Sequence, residues 1–168
     1  MPVSFSDVSD HELLDYVAVC RLQAAYADAV TRRAWSELGP LFLPEAPVQV
    51  DTVTSGPMEF VGAEGIGVFI AGAVERFEFF ELVILNVHVI GEPPGLPDAH
   101  RNELRSRSFT CELRQERSNG HWTNAFGVYH DDLRRIDGRW RYARRRYQSL
   151  ARTGRSEVFP FPELAGFE

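Results

Sequence analysis

The side chains of this sequence that can do chemistry near neutral pH point to proton transfer. Five histidines are present, yet no two of them, and no histidine with a carboxylate, have the close spacing of a recognisable metal site. Ser106, Ser108 and Ser149 lack a nucleophile elbow and an obvious base. What remains is general acid and base chemistry by His, Asp and Tyr, with Arg to hold negative charge. In the strand read from Leu82 to Ile90, a period of two places Leu82, Ile84, Asn86 and His88 on one face. His88 is then an acid/base candidate if that face is enclosed, and a half-solvated strand-end histidine beside a proline-rich loop if it is not.

Gly127, Tyr129 and Asp131 share a face of a later strand, where Gly127 leaves room for a ligand that Tyr129 and Asp131 can bind or polarise. Arg145 and Tyr147 share a face of the last strand. An arginine inside an apolar pocket needs a partner, and Asp131 on the neighbouring strand is the candidate; the pair is either catalytic or a buried tie that closes the fold. Tyr26, on the first helix, either hydrogen-bonds a substrate carbonyl or sits in the core with its tip satisfied. Asp28 lies three residues before Thr31 on the same helix side, and it either supplies an acid or pairs at the surface with Arg32 one turn onward. His130 alternates with Tyr129 and points the other way. His11, His100 and His121 fall in helix-start or loop contexts.

The elements that must position these groups are legible as helices first and strands afterwards. Ser9-Asp10 followed by Glu12 opens a helix running to about Ala29, with Leu13, Leu14, Val17, Cys20 and Leu22 at helical period. Trp35, Leu38, Leu41 and Phe42 give a second, short helix punctuated by Pro40 and Pro44. A strand is expected over Val48 to Val53, a turn at Ser55-Gly56-Pro57, and a third helix from Ala63 to Phe77. The glycines at its entrance fit neither dinucleotide nor P-loop spacing and read as packing or a turn. Four antiparallel strands follow over Leu82–Ile90, Leu104–Leu113, Trp122–Ile136 and Trp140–Leu150. Asp137-Gly138 joins the last two as a tight hairpin. Pro93, Pro94 and Pro97 keep Glu92 to Arg101 a loop. This order gives an α+β domain, a strongly curved antiparallel sheet roofed by three helices from the amino-terminal half, with a hollow between them as the default binding site.

Composition bounds the function. A chain of 168 residues with 44% hydrophobic and 25% charged side chains suits one globular domain spanning 1–168. A net charge of −6 disfavours nucleic acid as a partner. The late run of arginines is split between two strand faces and mixed with Asp131, Asp132 and Asp137, so it reads as a solvated or salt-bridged surface. Cys20 and Cys111 are isolated and read as buried thiols of a reducing cytoplasm. No apolar run approaches the roughly 18 residues of a membrane span, and no targeting signal opens the chain, so no membrane partner and a cytoplasmic location are expected. The sheet's outer face is expected to join a second copy, as a homodimer or homotrimer. The apolar tail over Val158–Leu164 is expected to cover a partner or close its own cone.

Two stretches carry a family resemblance. One is Tyr26-Ala27-Asp28-Ala29-Val30-Thr31-Arg32-Arg33-Ala34-Trp35 followed by Leu41-Phe42. The other is Gly127-Val128-Tyr129-His130-Asp131 leading to Ile136-Asp137-Gly138-Arg139-Trp140 and an arginine-rich last strand. Together they resemble the SnoaL-like group of the nuclear transport factor 2-like superfamily, which includes polyketide cyclases, dehydratases and dehydrochlorinases, and the match runs from about Asp10 to Thr153. The resemblance implies a cystatin-like, cone-shaped barrel, with the tail 154–168 beyond its core. Dehydratase-like relatives pair a helix-end aspartate with a strand histidine; here the matching positions are Thr31 and Leu82. Tyr26 keeps the family's place, Trp35 belongs to the same motif, and Leu82 marks its strand face, with Asn86 and His88, as the one turned to the pocket. Arg145 matches a position that related dehydrochlorinases use to stabilise departing negative charge.

The implied function is to bind a small hydrophobic organic molecule, as a lyase or isomerase without a cofactor. In that role His88, Asp131, Tyr26 and Arg145 are the catalytic candidates, and Asp28, Thr31, Trp35, Leu82, Asn86, Tyr129 and Tyr147 line the ligand. The alternative is a non-catalytic binding protein, or a structural one resembling the β subunit of aromatic-ring dioxygenases, whose Leu85-Asn86-Val87 and Arg105-Ser106 style of strand it shares. A further variant is an epoxide-hydrolase-like Asp–Arg–Asp arrangement, of which Asp131 and Arg145 supply a part.

Overall fold

The computed structural model describes residues 9–91 and 102–154; the proline loop and the carboxy-terminal tail singled out above lie outside them. Helix α1 (Asp10–Thr31) starts on a capping box: the Ser9 N–H donates to Glu12 Oε2 at 2.7 Å, and the Glu12 N–H donates to Ser9 Oγ at 3.3 Å. Val19, Leu22, Tyr26 and Val30 recur at three and four residues and bury one stripe of it. The expected second, short helix is present over Trp35–Leu41, wound as a 3₁₀ helix. Pro40 has no N–H to offer an α-helical ladder, and seven residues with a glycine and a proline suit the tighter coil. Leu38 anchors it, fully buried.

Strands β1 (Pro47–Asp51) and β2 (Met58–Val61) form a small hairpin; β2 was not anticipated. Helix α2 (Gly62–Val74) follows at once. Gly62 sits at φ +64°, and a Cβ there would lie 2.6 Å from the Pro44 carbonyl oxygen, so the glycine-rich entrance serves close packing. Four long strands complete the chain: β3 (Phe77–Gly91), β4 (Glu103–Glu116), β5 (Trp122–Ile136) and β6 (Arg139–Thr153). Asp137 and Gly138 both take positive φ, 51° and 74°, the geometry that matches a two-residue turn to the strands' twist. Among the described residues no helix is long and apolar enough to cross a membrane.

The architecture is α+β, with one open, six-stranded sheet in the order β2-β1-β6-β5-β4-β3. It differs from the expected antiparallel sheet at one seam: β1 runs parallel to β6, Val48 opposite Arg145 and Val50 opposite Tyr147. Local alternation carries no information on the direction in which strands so far apart in sequence meet, so this pairing was invisible beforehand. Extra residues at Glu78, Leu85 and Ile90 of β3 and at Ala143 and Leu150 of β6 interrupt the ladders. Each bulge bends its strand and adds twist, and side chains from β1, β3, β4, β5 and β6 consequently converge on one cavity beneath the helices.

Candidate active site

The cavity measures about 420 Å³ and has an apolar side and a polar side. The apolar side comes from α2 and the first half of β3, with Ile66, Phe69, Ile70, Phe80 and Leu82, and from Val30, Val48 and Val50. The polar side divides into a floor and a wall.

The floor is built around Arg145, which is fully buried. Its Nε donates to Asp131 Oδ1 at 2.9 Å, and its Nη2 donates to Asp131 Oδ2 at 3.3 Å and to Gln23 Oε1 at 2.6 Å. Gln23 Nε2 in turn donates to Asp131 Oδ2 at 2.7 Å, and the Tyr142 hydroxyl donates to Gln23 Oε1 at 3.0 Å. Three phenol rings surround the guanidinium, those of Tyr26, Tyr129 and Tyr142, with centroids 4.1, 3.8 and 4.1 Å away. Desolvation works against the charge of Arg145, but Asp131 and the surrounding phenols outweigh it and push its pKa up. Burial pushes the Asp131 carboxyl up, against the pull of Arg145 and the Gln23 amide. The bonded geometry keeps the pair ionic.

Asp131 thus has its acceptors engaged and does not line the cavity, whereas Tyr26, Tyr129, Tyr147 and Arg145 all contribute to the lining. Desolvation raises the phenol pKa of Tyr26, Tyr129 and Tyr147, which holds them as O–H donors over the whole working range of pH. Gly127 leaves room, as expected, but for protein: a Cβ there would fall 2.3 Å from Tyr147 Cε2, so the Tyr147 ring occupies the space.

The wall went unnoticed in the sequence. Strand β4 turns Glu112 and Arg114 inward, α2 ends beside Arg76, and β6 brings Arg152; all four line the cavity. Glu112 keeps 23% of its side-chain surface accessible, against 7% for Arg114, and Arg114 Nη1 lies 3.4 Å from Glu112 Oε2. Desolvation raises the Glu112 pKa, partly offset by Arg114, Arg152 and Arg76. The signal that could have revealed this wall is an inverted strand. From Leu104 the alternation carries Ser106, Ser108, Thr110, Glu112 and Arg114 inward, while the apolar Phe109, Cys111 and Leu113 take the other face. Reading hydrophobicity as the mark of the inner face hid the one strand whose inner face is polar.

The remaining candidates fall outside the cavity. The bulge at Leu85 shifts the alternation of β3 by one residue, so Ile84, Val87 and Val89 pack toward the core while Asn86 and His88 are exposed. The expectation that Asn86 and His88 share the face of Leu82 is corrected by that single extra residue. Asp28 is exposed and takes two donors from Arg32, at 2.9 and 2.7 Å, which hold its carboxyl below the usual range. Trp35 packs against the core at the start of the 3₁₀ turn without lining the cavity. Thr31 and Leu82, the two positions where the resemblance places an acid–base pair, do meet: the Leu82 N–H donates to Thr31 Oγ1 at 3.0 Å. His130 faces away from the cavity; burial, then Arg146 and Arg107, push its pKa down. Among the described residues no cluster of three or more His, Cys, Asp or Glu side chains is arranged to hold a metal.

Comparison with known proteins agrees with this geometry. The SnoaL-like domain family matches residues 11–146. No curated protein matches the chain. Among solved structures, a protein provisionally assigned as a scytalone dehydratase from Novosphingobium aromaticivorans is 17% identical, with a TM-score of 0.74 over 95% of this chain and 100% of that one. The hexachlorocyclohexane dehydrochlorinase LinA-type3 from Novosphingobium barchaimii is 17% identical, with a TM-score of 0.70 over 92% and 99%. A protein provisionally assigned as an aromatic ring hydroxylase from Novosphingobium aromaticivorans is 19% identical, with a TM-score of 0.69 over 85% and 94%. At these identities the likeness is one of fold.

Proposed function

The chain belongs to the SnoaL-like family of the nuclear transport factor 2-like superfamily, and from that premise we propose that it is a cofactor-independent lyase or isomerase acting on a small, mainly apolar organic molecule held in the cavity. The observation that carries this reading is Glu112: a carboxylate enclosed by protein, accessible from the cavity, with a raised pKa. A carboxyl tuned upward is a better base near neutral pH than an ordinary one. In an elimination, Glu112 takes a proton from a substrate carbon, the C–H electron pair becomes the new C=C bond, and hydroxide or halide departs with the other pair. For a ketone substrate, Tyr26, Tyr129 or Tyr147 donates to the developing oxyanion. Arg145 acts through the phenols it contacts, since its charge favours electron density on their oxygens. Asp131 positions Arg145.

A second reading, a non-catalytic binding protein, is favoured by the Thr31–Leu82 hydrogen bond, which replaces an acid–base pair with backbone capping. One experiment separates the two. A panel of cyclic β-hydroxyketones and halogenated cyclohexanes, each with and without a ring carboxylate, is incubated with the protein in D₂O and followed by NMR. Elimination, or deuterium uptake beside the carbonyl, is expected with the native chain and is expected to slow about 100-fold or more in Glu112→Gln. Binding without exchange or elimination for every compound would overturn catalysis in favour of the second reading.

A further inference from the structure

The cavity wall also bears on what kind of molecule fits. Arg114 is nine-tenths buried, and its guanidinium is tethered at one side only, through Nη1 to Glu112 at 3.4 Å. Its Nε, inside the protein, has no hydrogen-bond acceptor among the described residues. The group also makes a cation–π contact: its Cζ lies 5.3 Å from the centroid of the Phe77 ring, which Arg76 also approaches at 4.7 Å. A planar guanidinium fixed in this way, with an N–H left over, is shaped for a carboxylate, which accepts two parallel N–H bonds where a hydroxyl accepts one. The surrounding field has the same sign. The cavity lining carries four guanidinium groups, Arg76, Arg114, Arg145 and Arg152, and one carboxylate, Glu112; Asp131 and Glu116, which pair with Arg145 and Arg76, stand outside the lining. Phe69 and Ile70 of α2 line the same cavity, and Phe80 stands beside Arg114 across the β3–β4 ladder.

We propose that the cavity is specific for an organic anion, a compound with one apolar ring system whose carboxylate is received by Arg114 while its ring packs against Phe69, Ile70 and Phe80. The inference rests on the cavity being the ligand site, as in the proposed function, and narrows the ligand's class. Glu112 competes with the ligand for Arg114. Neutralising Glu112 therefore tightens binding of the anion, an effect that damage to the fold cannot produce.

The test compares two ligands of nearly equal shape, 2-naphthoate and 2-naphthamide, by isothermal titration calorimetry near neutral pH. The native chain is expected to prefer the carboxylate at least about tenfold, the worth of one charge-assisted contact. Arg114→Gln is expected to erase the preference while leaving the amide's affinity unchanged, with circular dichroism confirming the fold. Glu112→Gln is expected to raise the affinity for 2-naphthoate and leave that for 2-naphthamide as it was. Equal affinity of the native chain for both ligands, or a loss of naphthoate affinity in Glu112→Gln, would overturn the anion preference and leave the cavity's role in binding intact. If neither compound bound, both this inference and the cavity as a binding site would fall.

Discussion

The floor and the wall of the cavity are each built from arginine and a carboxylate, and they differ in how completely those groups answer one another. At the floor, Arg145 and Asp131 have no side-chain accessibility and share Gln23 as a common partner. At the wall, Glu112 meets Arg114 through one long contact, keeps accessible surface, and stands among three guanidiniums. Among the described residues Arg145 keeps one unpartnered nitrogen, Nη1, but three hydrogen bonds to Asp131 and Gln23 make it chiefly an element of structure. Arg114, held by a single long contact to Glu112, leaves more of its hydrogen-bonding capacity for a ligand to complete. The charge pair most visible in the sequence therefore has the character of a tie, and the pair hidden in β4 is the proposed site.

Four substitutions sharpen or break that contrast, in descending order of effect. Asp131→Ala leaves Arg145 buried without its counter-ion and is expected to cost about 3–5 kcal/mol of folding stability, measured by urea unfolding; a loss no greater than that of an ordinary surface variant would demote the floor as a structural tie. Glu112→Gln bears on rate instead, and the pH dependence gives its signature. The base must be ionised, so kcat/KM of the native chain falls as pH drops through the Glu112 pKa, and desolvation places that limb above the usual glutamate range. The limb disappears in Glu112→Gln if the assignment holds, and survives if another group is the base.

Gly127→Ala drives a methyl group into the Tyr147 ring and is expected to destabilise the fold by about 1–3 kcal/mol, with Tyr147 displaced in a crystal structure of the variant. An unchanged melting temperature and an unmoved ring would show the floor to be looser than described. The smallest effect is expected from His88→Ala, an exposed position, where stability should stay within about 0.5 kcal/mol of the parent and the rate of elimination should not change. A large loss of activity there would return His88 to the site.

Much of this molecule was legible beforehand because its signals are local. The capping box at Ser9 and Glu12, the tight turn at Asp137-Gly138 and the four long strands all follow from neighbours in sequence. The Asp131–Arg145 pair was legible only as a pairing of neighbouring strands: the register set by the two-residue turn would put Arg144 opposite Asp131, and the extra residue at Ala143 brings Arg145 there instead. The losses came where one residue changes the parity. The bulge at Leu85 sends His88 and Asn86 outward, and nothing in the run Leu82–Ile90 marks it. The polar inner face of β4 was lost for a different reason: its inward direction is set by the cavity it lines, a property of the folded sheet, and its apolar residues lie on the other side. The parallel seam between β1 and β6 joins segments nearly a hundred residues apart and could be settled only in three dimensions.

The measurement that bears most directly on the wall as the site is a crystal structure of the full chain with 2-naphthoate bound. The account predicts the carboxylate within hydrogen-bond distance of the Arg114 guanidinium, the ring against Phe69, Ile70 and Phe80, and the Arg145–Asp131 pair undisturbed. A ligand seated elsewhere, or one that enters the cavity with its carboxylate turned away from Arg114, would contradict it.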